Sequence, residues 1–297
     1  MPDIELRFHK DMLVLSAPVG YALERQGVDV ESDGELVGLM EPETVRDAMK
    51  LEALAGAQCL VTDTEGICEA RLAHKRMEDR AADVAQAALA AVEQCAPQHI
   101  VCAIGSCGLP IDPASEPSRV QAVAQYADAV RAFGDAAFDA VLLDGLRSPE
   151  DIRCAIEGVR SACDRPVFAS AALDAQGLIA GAVFGDAVAA LGRADVVGVS
   201  LSAAPDAACS AVRRIAALTD KPILVQLKLQ AATPLQKKRA MLGDPIPGNP
   251  YALPDSLADA AVALRAAGAQ FLRACGQATP ACTGALAAAV SGLDCLR

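Results

Sequence analysis

Three cysteines and two aspartates have the types and positions that could support chemistry. Cys68, Cys107 and Cys275 lie just beyond short apolar runs of the kind that form strands, and Asp63 and Asp144 close two such runs. Thiolates from different loops could together bind a metal ion, and carboxylates at strand ends could hold a substrate amine or transfer protons. Plainer alternatives stay open, because cysteines also serve as small buried apolar residues and acids at strand ends also cap the next helix.

The elements that would position these residues are short runs rich in Val, Ile and Leu, each followed by an Ala-rich or amphipathic stretch. Such alternation predicts parallel βαβ units, and continuously apolar strands suit a sheet covered on both faces. Eight units in 297 residues predict one α/β domain, residues 1–297, folded as a (β/α)8 TIM barrel. A doubly wound open sheet is the alternative. The predicted strands are 12–16, 59–63, 100–104, 140–144, 167–171, 195–200, 223–229 and 270–274.

The composition argues against several classes of partner and environment. A net charge of −12 opposes binding to nucleic acid or to an anionic membrane, because both depend on clustered Lys and Arg. The first residues lack the positive and then apolar regions of a secretory signal. Eleven cysteines without a C-x-x-C pair suit a reducing compartment. We therefore expect a cytoplasmic protein with no nucleic-acid or membrane partner.

The run F-L-R-A-C-G-Q-A-T-P at residues 271–280 resembles the G-G-C-C-G-T-T-P-like end of the last barrel strand in the homocysteine S-methyltransferase family. The resemblance covers nearly the whole chain. It includes M-L-V-L-S-A-P-V-G at residues 12–20, A-I-G-S-C-G at 103–108, D-A-Q-G-L-I-A-G at 174–181 and T-D-K-P-I at 219–223. It implies the same eight-stranded barrel.

The resemblance also implies a zinc site, of which this chain keeps only part. The adjacent cysteine pair of the family falls on Ala274 and Cys275, and its third zinc cysteine falls on Leu201, an apolar residue that would then face the barrel mouth. Catalytic zinc usually takes three protein ligands. The sequence therefore predicts that zinc is not held stoichiometrically, with Cys275 as the one family ligand present. Cys68 and Cys107 are candidate substitute ligands.

Other positions of the family site differ as well. Ser16 stands in place of the opening aspartate, Asp63 replaces an asparagine, and Asp144 replaces a glutamate that helps to bind the amino acid. The resemblance implies Asp63, Asp144 and Cys275 as catalytic candidates. It implies substrate binding near Ser16, Gly20, Cys107 and Ser200.

The function implied by the resemblance is methyl transfer that involves a small thiol or a methylated substrate. No tightly bound cofactor is expected, and a corrinoid or folate methyl donor would come through a partner, such as a corrinoid protein or a methyltransferase subunit. Because several site positions have changed, homocysteine methylation from methyltetrahydrofolate, methylcobalamin, betaine or S-methylmethionine is expected to be absent or very weak. The alternative is a non-catalytic relative that binds a small molecule or a partner.

One long segment, residues 230–254, differs from the rest of the chain. It contains five prolines and the densest basic cluster in the sequence, Lys237, Lys238 and Arg239. Long loops in compact domains are usually functional lids or disordered, and a loop after the seventh strand lies at the mouth of a barrel. The segment predicts a lid or a docking surface for an anionic ligand or an acidic partner domain. A solvated helix at 235–241 is the alternative.

Overall fold

The computed structural model describes residues 3–174, 183–243 and 249–297. Eight parallel strands in this part of the chain pair in sequence order, and the last pairs with the first, so the sheet closes into a barrel. The predicted α/β (β/α)8 TIM barrel is therefore confirmed, and the open sheet is excluded. The strands are β1 Leu13–Leu15, β2 Cys59–Val61, β3 His99–Gly105, β4 Ala140–Leu146, β5 Val167–Leu173, β6 Val196–Leu201, β7 Ile223–Leu229 and β8 Phe271–Gly276.

Helices connect the strands and cover the barrel. Several begin with proline, which the first turn tolerates because the N–H that proline lacks would have no partner within the helix. A short 3-10 helix, Ile4–Arg7, precedes β1. The α-helices are α1 Gly20–Glu24, α2 Val30–Met40, α3 Pro42–Leu54, α4 Glu69–Ala73, α5 Ala81–Glu93, α6 Glu116–Arg131, α7 Pro149–Ala162, α8 Phe184–Leu191, α9 Pro205–Ala216, α10 Pro234–Met241, α11 Pro254–Ala267 and α12 Pro280–Val290.

Strand side chains alternate between the barrel interior and the layer that faces the helices, as the two-residue period of a strand requires. On β6, Val196 packs in the interior cluster, whereas Val197, Val199 and Leu201 pack in the outer cluster. The same alternation turns Ser200 inward. The apolar side chains of the described strands therefore pack in two clusters, a large one between strands and helices and a smaller one inside the barrel.

Three phenylalanines pack against one another at the end of the barrel where the strands begin. The ring centroid of Phe8 lies 6.0 Å from that of Phe168 and 5.9 Å from that of Phe271, and the last two lie 4.9 Å apart. Tilted and edge contacts at such distances are favourable. Because the chain has six Phe and no Trp, half of its phenylalanines fill this one end. At the opposite end, where the strands terminate, polar side chains line a cavity.

An irregularity in β4 shapes that opposite end. Between Leu143 and Leu146 the strand has one residue more than the facing stretch of β5. Gly145 has a φ of 64°, a left-handed conformation that glycine adopts at little cost. Bulges of this kind re-aim side chains beside functional sites. Here Asp144 points into the barrel, while Leu146 turns to the outer core.

The first two strands are shorter than predicted because side-chain hydroxyls continue the pairing at their ends. The Ser16 hydroxyl accepts a hydrogen bond from the Val61 N–H at 2.9 Å, and the Thr62 hydroxyl accepts one from the Ala103 N–H at 3.0 Å. At these two positions a hydroxyl oxygen replaces the backbone carbonyl as acceptor, so the regular strand pairing ends there.

Two of the features noted in the sequence lie partly outside the described residues. The motif at 174–181 lies there except for its first residue, as do residues 244–248 of the long segment. Within the described part of that segment, α10 coincides with the helix that the sequence allowed at 235–241. No helix of the described residues has the length and apolar character needed to cross a membrane.

Candidate active site

A buried arginine on β8 organises the mouth of the barrel. The Arg273 side chain is 1% exposed and points inward. Its Nε donates to the Ser16 carbonyl at 2.9 Å, and its Nη1 donates to Asp144 Oδ2 at 2.8 Å. Nη1 also donates to Gln226 Oε1 at 3.0 Å, and Nη2 donates to Glu65 Oε1 at 3.3 Å. The guanidinium thus joins four other strands or strand ends of the barrel.

Two carboxylates share this one guanidinium. Burial opposes the charged form of Arg273, but Asp144 and Glu65 outweigh it and raise the pKa of the guanidinium. Burial likewise raises the pKa of Glu65; the charge of Arg273 opposes this rise, and that of Asp144 adds to it. Arg273 therefore stays charged at neutral pH, and Glu65 takes up a proton more readily than a free glutamate.

Gln226 completes the network from β7. Its Nε2 donates to Asp144 Oδ1 at 2.6 Å and to Ser170 Oγ at 2.8 Å. Both oxygens of Asp144 therefore already accept hydrogen bonds from the chain itself, one from Arg273 and one from Gln226. Asp144, predicted as a catalytic residue, is held in a fixed position by its neighbours.

A cavity of about 260 Å³ lies above this network, at the carboxyl ends of the strands, where barrels of this type bind their ligands. Asp144, Ser200 and Cys275 line it together with Glu65. Three of the predicted site residues are thus brought together. The volume lies just below the usual range for ligand pockets, roughly 300–1,000 Å³, and suits a small molecule.

Three cationic side chains also line this cavity: Arg71, Arg147 and Lys228. All three residues are exposed, and among the described residues none of them forms an ion pair. Arg71 makes only a long hydrogen bond, 3.5 Å, to the Ser106 carbonyl. With Arg273 they outnumber the two carboxylates of the cavity, so the mouth is locally positive in a chain of net charge −12.

Cys275 lines the cavity although it is only 6% exposed. Burial raises the pKa of its thiol to about 12, and the charge of Asp144 contributes, while Arg273, Lys228 and Ser200 oppose the shift. A thiol with this pKa is protonated at neutral pH. Because the thiolate is the nucleophilic form, Cys275 by itself is not a nucleophile.

Several predicted residues lie away from the cavity. Ser16 is fully buried beneath it, with its carbonyl bonded to Arg273. Gly20 begins α1. Cys68 and Cys107 are fully buried, and burial raises the pKa of both thiols. None of these four residues lines the cavity.

Asp63 lies just beyond β2, half-buried and outside the cavity lining. Burial, followed by the charges of Glu65 and Glu35, raises the pKa of its carboxyl to about 7. Such a group exchanges its proton near neutral pH, as a general acid or base must. Its link to the cavity is Glu65, whose charge contributes to this shift.

A comparison of the sequence with known protein families gives a match along almost the whole barrel. Residues 13–290 match the model of the homocysteine S-methyltransferase family. The chain belongs to that family. No curated protein matches the chain in sequence.

Among solved structures, the homocysteine methyltransferase MmuM from Escherichia coli is similar to this member of the family. Its oxidized form aligns with a TM-score of 0.75 at 20% identity, over 94% of this chain and 96% of that chain. The metallated form aligns with a TM-score of 0.74 at the same identity and coverage. A carboxyl transferase domain of Rhizobium etli pyruvate carboxylase aligns with a TM-score of 0.56 at 14% identity, over 97% of this chain and 44% of that chain. Identities this low show the shared barrel fold.

Two of the three zinc positions that the resemblance assigns carry side chains that cannot ligate a metal here. Leu201 and Ala274 are apolar and pack in the outer core. The expectation that Leu201 faces the mouth is wrong, because strand alternation turns it outward and presents Ser200 instead. Among the described residues, no three His, Cys, Asp or Glu side chains are grouped so that they could hold a metal ion. Cys68 and Cys107 do not join Cys275.

The loss of zinc binding remains a prediction. We expect the purified protein, incubated with excess zinc and then passed through gel filtration, to retain far less than one zinc per chain by elemental analysis. A lone thiol with a raised pKa is a poor metal site, since zinc sites use three or four ligands. One tightly bound zinc that is lost in Cys275→Ser but kept in the control Cys295→Ser would contradict this expectation.

A second groove, of about 360 Å³, adjoins the mouth. Leu229 and Gln277, at the ends of β7 and β8, line it together with Lys237 of α10. The described part of the long segment therefore lies beside the mouth, the place expected for a loop after β7. Its role as a lid remains a prediction.

Sequence reasoning missed Arg273 and Gln226. A signal was present, because charged residues are seldom fully buried unless they are paired, and Arg273 interrupts an otherwise apolar strand. Its spacing of two from Phe271 and from Cys275 places it on the interior face. Its partners could not be found in this way, because they come from other strands far apart in the sequence.

Proposed function

We propose that this chain transfers a methyl group to a small thiol bound in the mouth cavity, with a cationic side chain taking over the role of the family's zinc ion. The observation that supports this is the position of Lys228. In the register of the sheet Lys228 pairs with Cys275, the residue at the family's metal position. Lys228 also lines the cavity and has no ion-pair partner among the described residues.

The chemistry requires an ionised thiol. A free thiol with a pKa of about 8.5 is only a few per cent ionised at neutral pH. A cation within a few ångströms favours the charged form, so Lys228 would raise the thiolate fraction of a substrate sulfur beside it. Glu65, whose pKa is raised by burial, would accept the thiol proton.

In the transfer itself, the thiolate sulfur forms the new bond to the methyl carbon. The bond between methyl and donor breaks, and its electron pair leaves with the donor. A methylsulfonium compound would leave as a neutral thioether. A methylated corrinoid protein, or another methyltransferase subunit that presents a methyl donor, is the alternative source. We place this reaction in the cytoplasm, where thiols stay reduced.

The test is methyl transfer to a panel of small thiols, measured between pH 6 and pH 9. Lys228→Gln should lower kcat/KM about tenfold at pH 7, which corresponds to a thiol pKa shift of about one unit. The loss should shrink at pH 9, where the thiol ionises without help. Lys10→Gln is a matched control, because Lys10 is an exposed lysine that precedes β1 at the opposite end of the barrel.

A loss in Lys228→Gln that is equally large at pH 9 would contradict the thiolate role of this lysine. Robust homocysteine methylation by the unmodified protein, abolished by Cys275→Ala, would show instead that the family's thiolate mechanism survives.

A second candidate function is a non-catalytic relative that binds a small molecule or a partner. The observation that favours it is the engagement of Asp144 and Glu65 by Arg273, which leaves fewer groups free for proton transfer. Ligand binding in the cavity without methyl transfer to any thiol would support this second function over the first.

A further inference from the structure

We infer that the ligand of this mouth carries a carboxylate but no α-ammonium group, so that a thiol carboxylate binds more tightly than the amino acid of the same length. The inference rests on the proposed function for the identity of the reacting thiol, but its argument concerns binding. Two features carry it: the buried cation Arg273, and the cations at the rim, which form no ion pair among the described residues.

An ammonium group in the mouth would need a carboxylate, and both carboxylates there already pair with the guanidinium of Arg273. Asp144 accepts from Arg273 at 2.8 Å and from Gln226 at 2.6 Å, and Glu65 lies 3.3 Å from Arg273. A ligand ammonium placed against either acid would also face the guanidinium. Like charges repel more strongly where little water separates them, and four hydrogen bonds hold the buried guanidinium of Arg273 in place.

This charge pattern depends on one position. In the family's G-G-C-C run, the residue before the cysteine pair is glycine, and Arg273 stands there in this chain. A glycine leaves the centre of the barrel open at that level. The arginine places a buried positive charge there, which pairs with both acids.

A carboxylate, by contrast, finds partners without competition. Arg71, in α4, and Arg147, just after β4, both line the cavity, and neither forms an ion pair among the described residues. The planar donor fork of arginine matches a carboxylate with two parallel hydrogen bonds. Lys228 lines the cavity from β7. In the inferred complex the ligand carboxylate lies at the two arginines and its sulfur lies at Lys228, since all three residues line the same cavity.

The test compares two ligands that differ only in the α-ammonium group: γ-mercaptobutyrate and homocysteine. Isothermal titration calorimetry at pH 7 under reducing conditions should show γ-mercaptobutyrate binding at least about tenfold more tightly, with an affinity that falls as salt is added. Arg71→Gln combined with Arg147→Gln should weaken it about tenfold or more. Lys10→Gln should leave it unchanged. Circular dichroism checks that the variants fold, which the exposure of both arginines favours.

Equal or tighter binding of homocysteine would overturn the inference, as would the absence of γ-mercaptobutyrate binding to the folded protein. An affinity that does not change in the double arginine variant would overturn it too. If γ-mercaptobutyrate binds but is not methylated by any donor, the inference stands and the proposed methyl transfer fails. If homocysteine is methylated in preference, the proposed function stands and the inference fails.

Discussion

Replacing Arg273 by alanine should lower the free energy of unfolding by about 3–5 kcal/mol, the usual cost of removing one partner from a buried ion pair. The Arg273 side chain is 1% exposed and pairs with Asp144. Without it, Asp144 and Glu65 would face each other with no counter-charge, and the Ser16 carbonyl and Gln226 would each lose a donor. The loss is large because the fully buried Arg273 is the shared partner of both acids and of two uncharged groups.

Equilibrium denaturation in urea measures this loss as a shift of the midpoint. Arg131→Ala provides the control, since Arg131 pairs with Asp128 at 2.7 Å with both side chains more than half exposed. Exposed pairs contribute about 0–1 kcal/mol. A loss for Arg273→Ala as small as that of the control would show that the network does not stabilise the barrel.

The loss should also depend on pH. The pKa of Glu65 is raised in the folded protein, so protonated Glu65 stabilises the fold at low pH, and this contribution disappears as pH rises through the folded pKa. Arg273 opposes that rise, so its removal raises the pKa of Glu65 further. The deficit of Arg273→Ala should therefore shrink as pH falls from the raised folded pKa toward about 4.3, the value for unfolded glutamate. A deficit that is constant with pH would indicate lost packing alone.

Alkylation of Cys275 by iodoacetamide at pH 8 should be on the order of a thousandfold slower than alkylation of free cysteine. Burial raises the pKa of this thiol to about 12. At pH 8 about one molecule in ten thousand is then ionised, whereas a free thiol is about one quarter ionised. The small exposure of Cys275, 6%, slows the reaction further.

Peptide mass spectrometry after timed labelling measures this rate, and Cys295 in the same chain is the internal comparison because it is half-buried near the carboxyl terminus. Labelling in denaturant should make the two cysteines equal. If Cys275 reacts as fast as Cys295 in the folded protein, it is an ionised thiol and a candidate nucleophile. Slow labelling agrees with the proposal that the reacting sulfur belongs to the ligand.

Much of the fold was predictable because it follows from local patterns. Eight apolar runs separated by helical stretches gave the number and order of the strands, and the family resemblance agrees with the match over residues 13–290. The ends of parallel strands meet at one face of a barrel. For that reason Asp144, Ser200 and Cys275 could be assigned to one mouth, and all three line the cavity.

The candidate site was less predictable, because its chemistry depends on contacts between distant strands. Cys68 and Cys107 follow strands β2 and β3, yet both side chains pack in the outer core, whereas Cys275 lies within β8 and lines the mouth. Leu201 is adjacent to Ser200 in sequence, but the two side chains point to opposite faces of β6. A residue that lies near the end of a strand therefore does not necessarily point into the mouth of the barrel.

By itself, the sequence determined the barrel, the family and the end of the barrel at which the candidate site lies, because strand order and side-chain period are encoded within a few residues of each other. Only the tertiary structure decided the charge of that site. Arg273 meets Ser16, Asp144, Gln226 and Glu65 across gaps of 47 to 257 residues. Their mutual pairing exists only once the barrel has closed, since closure brings the strand ends together and excludes the water that would otherwise separate their charges.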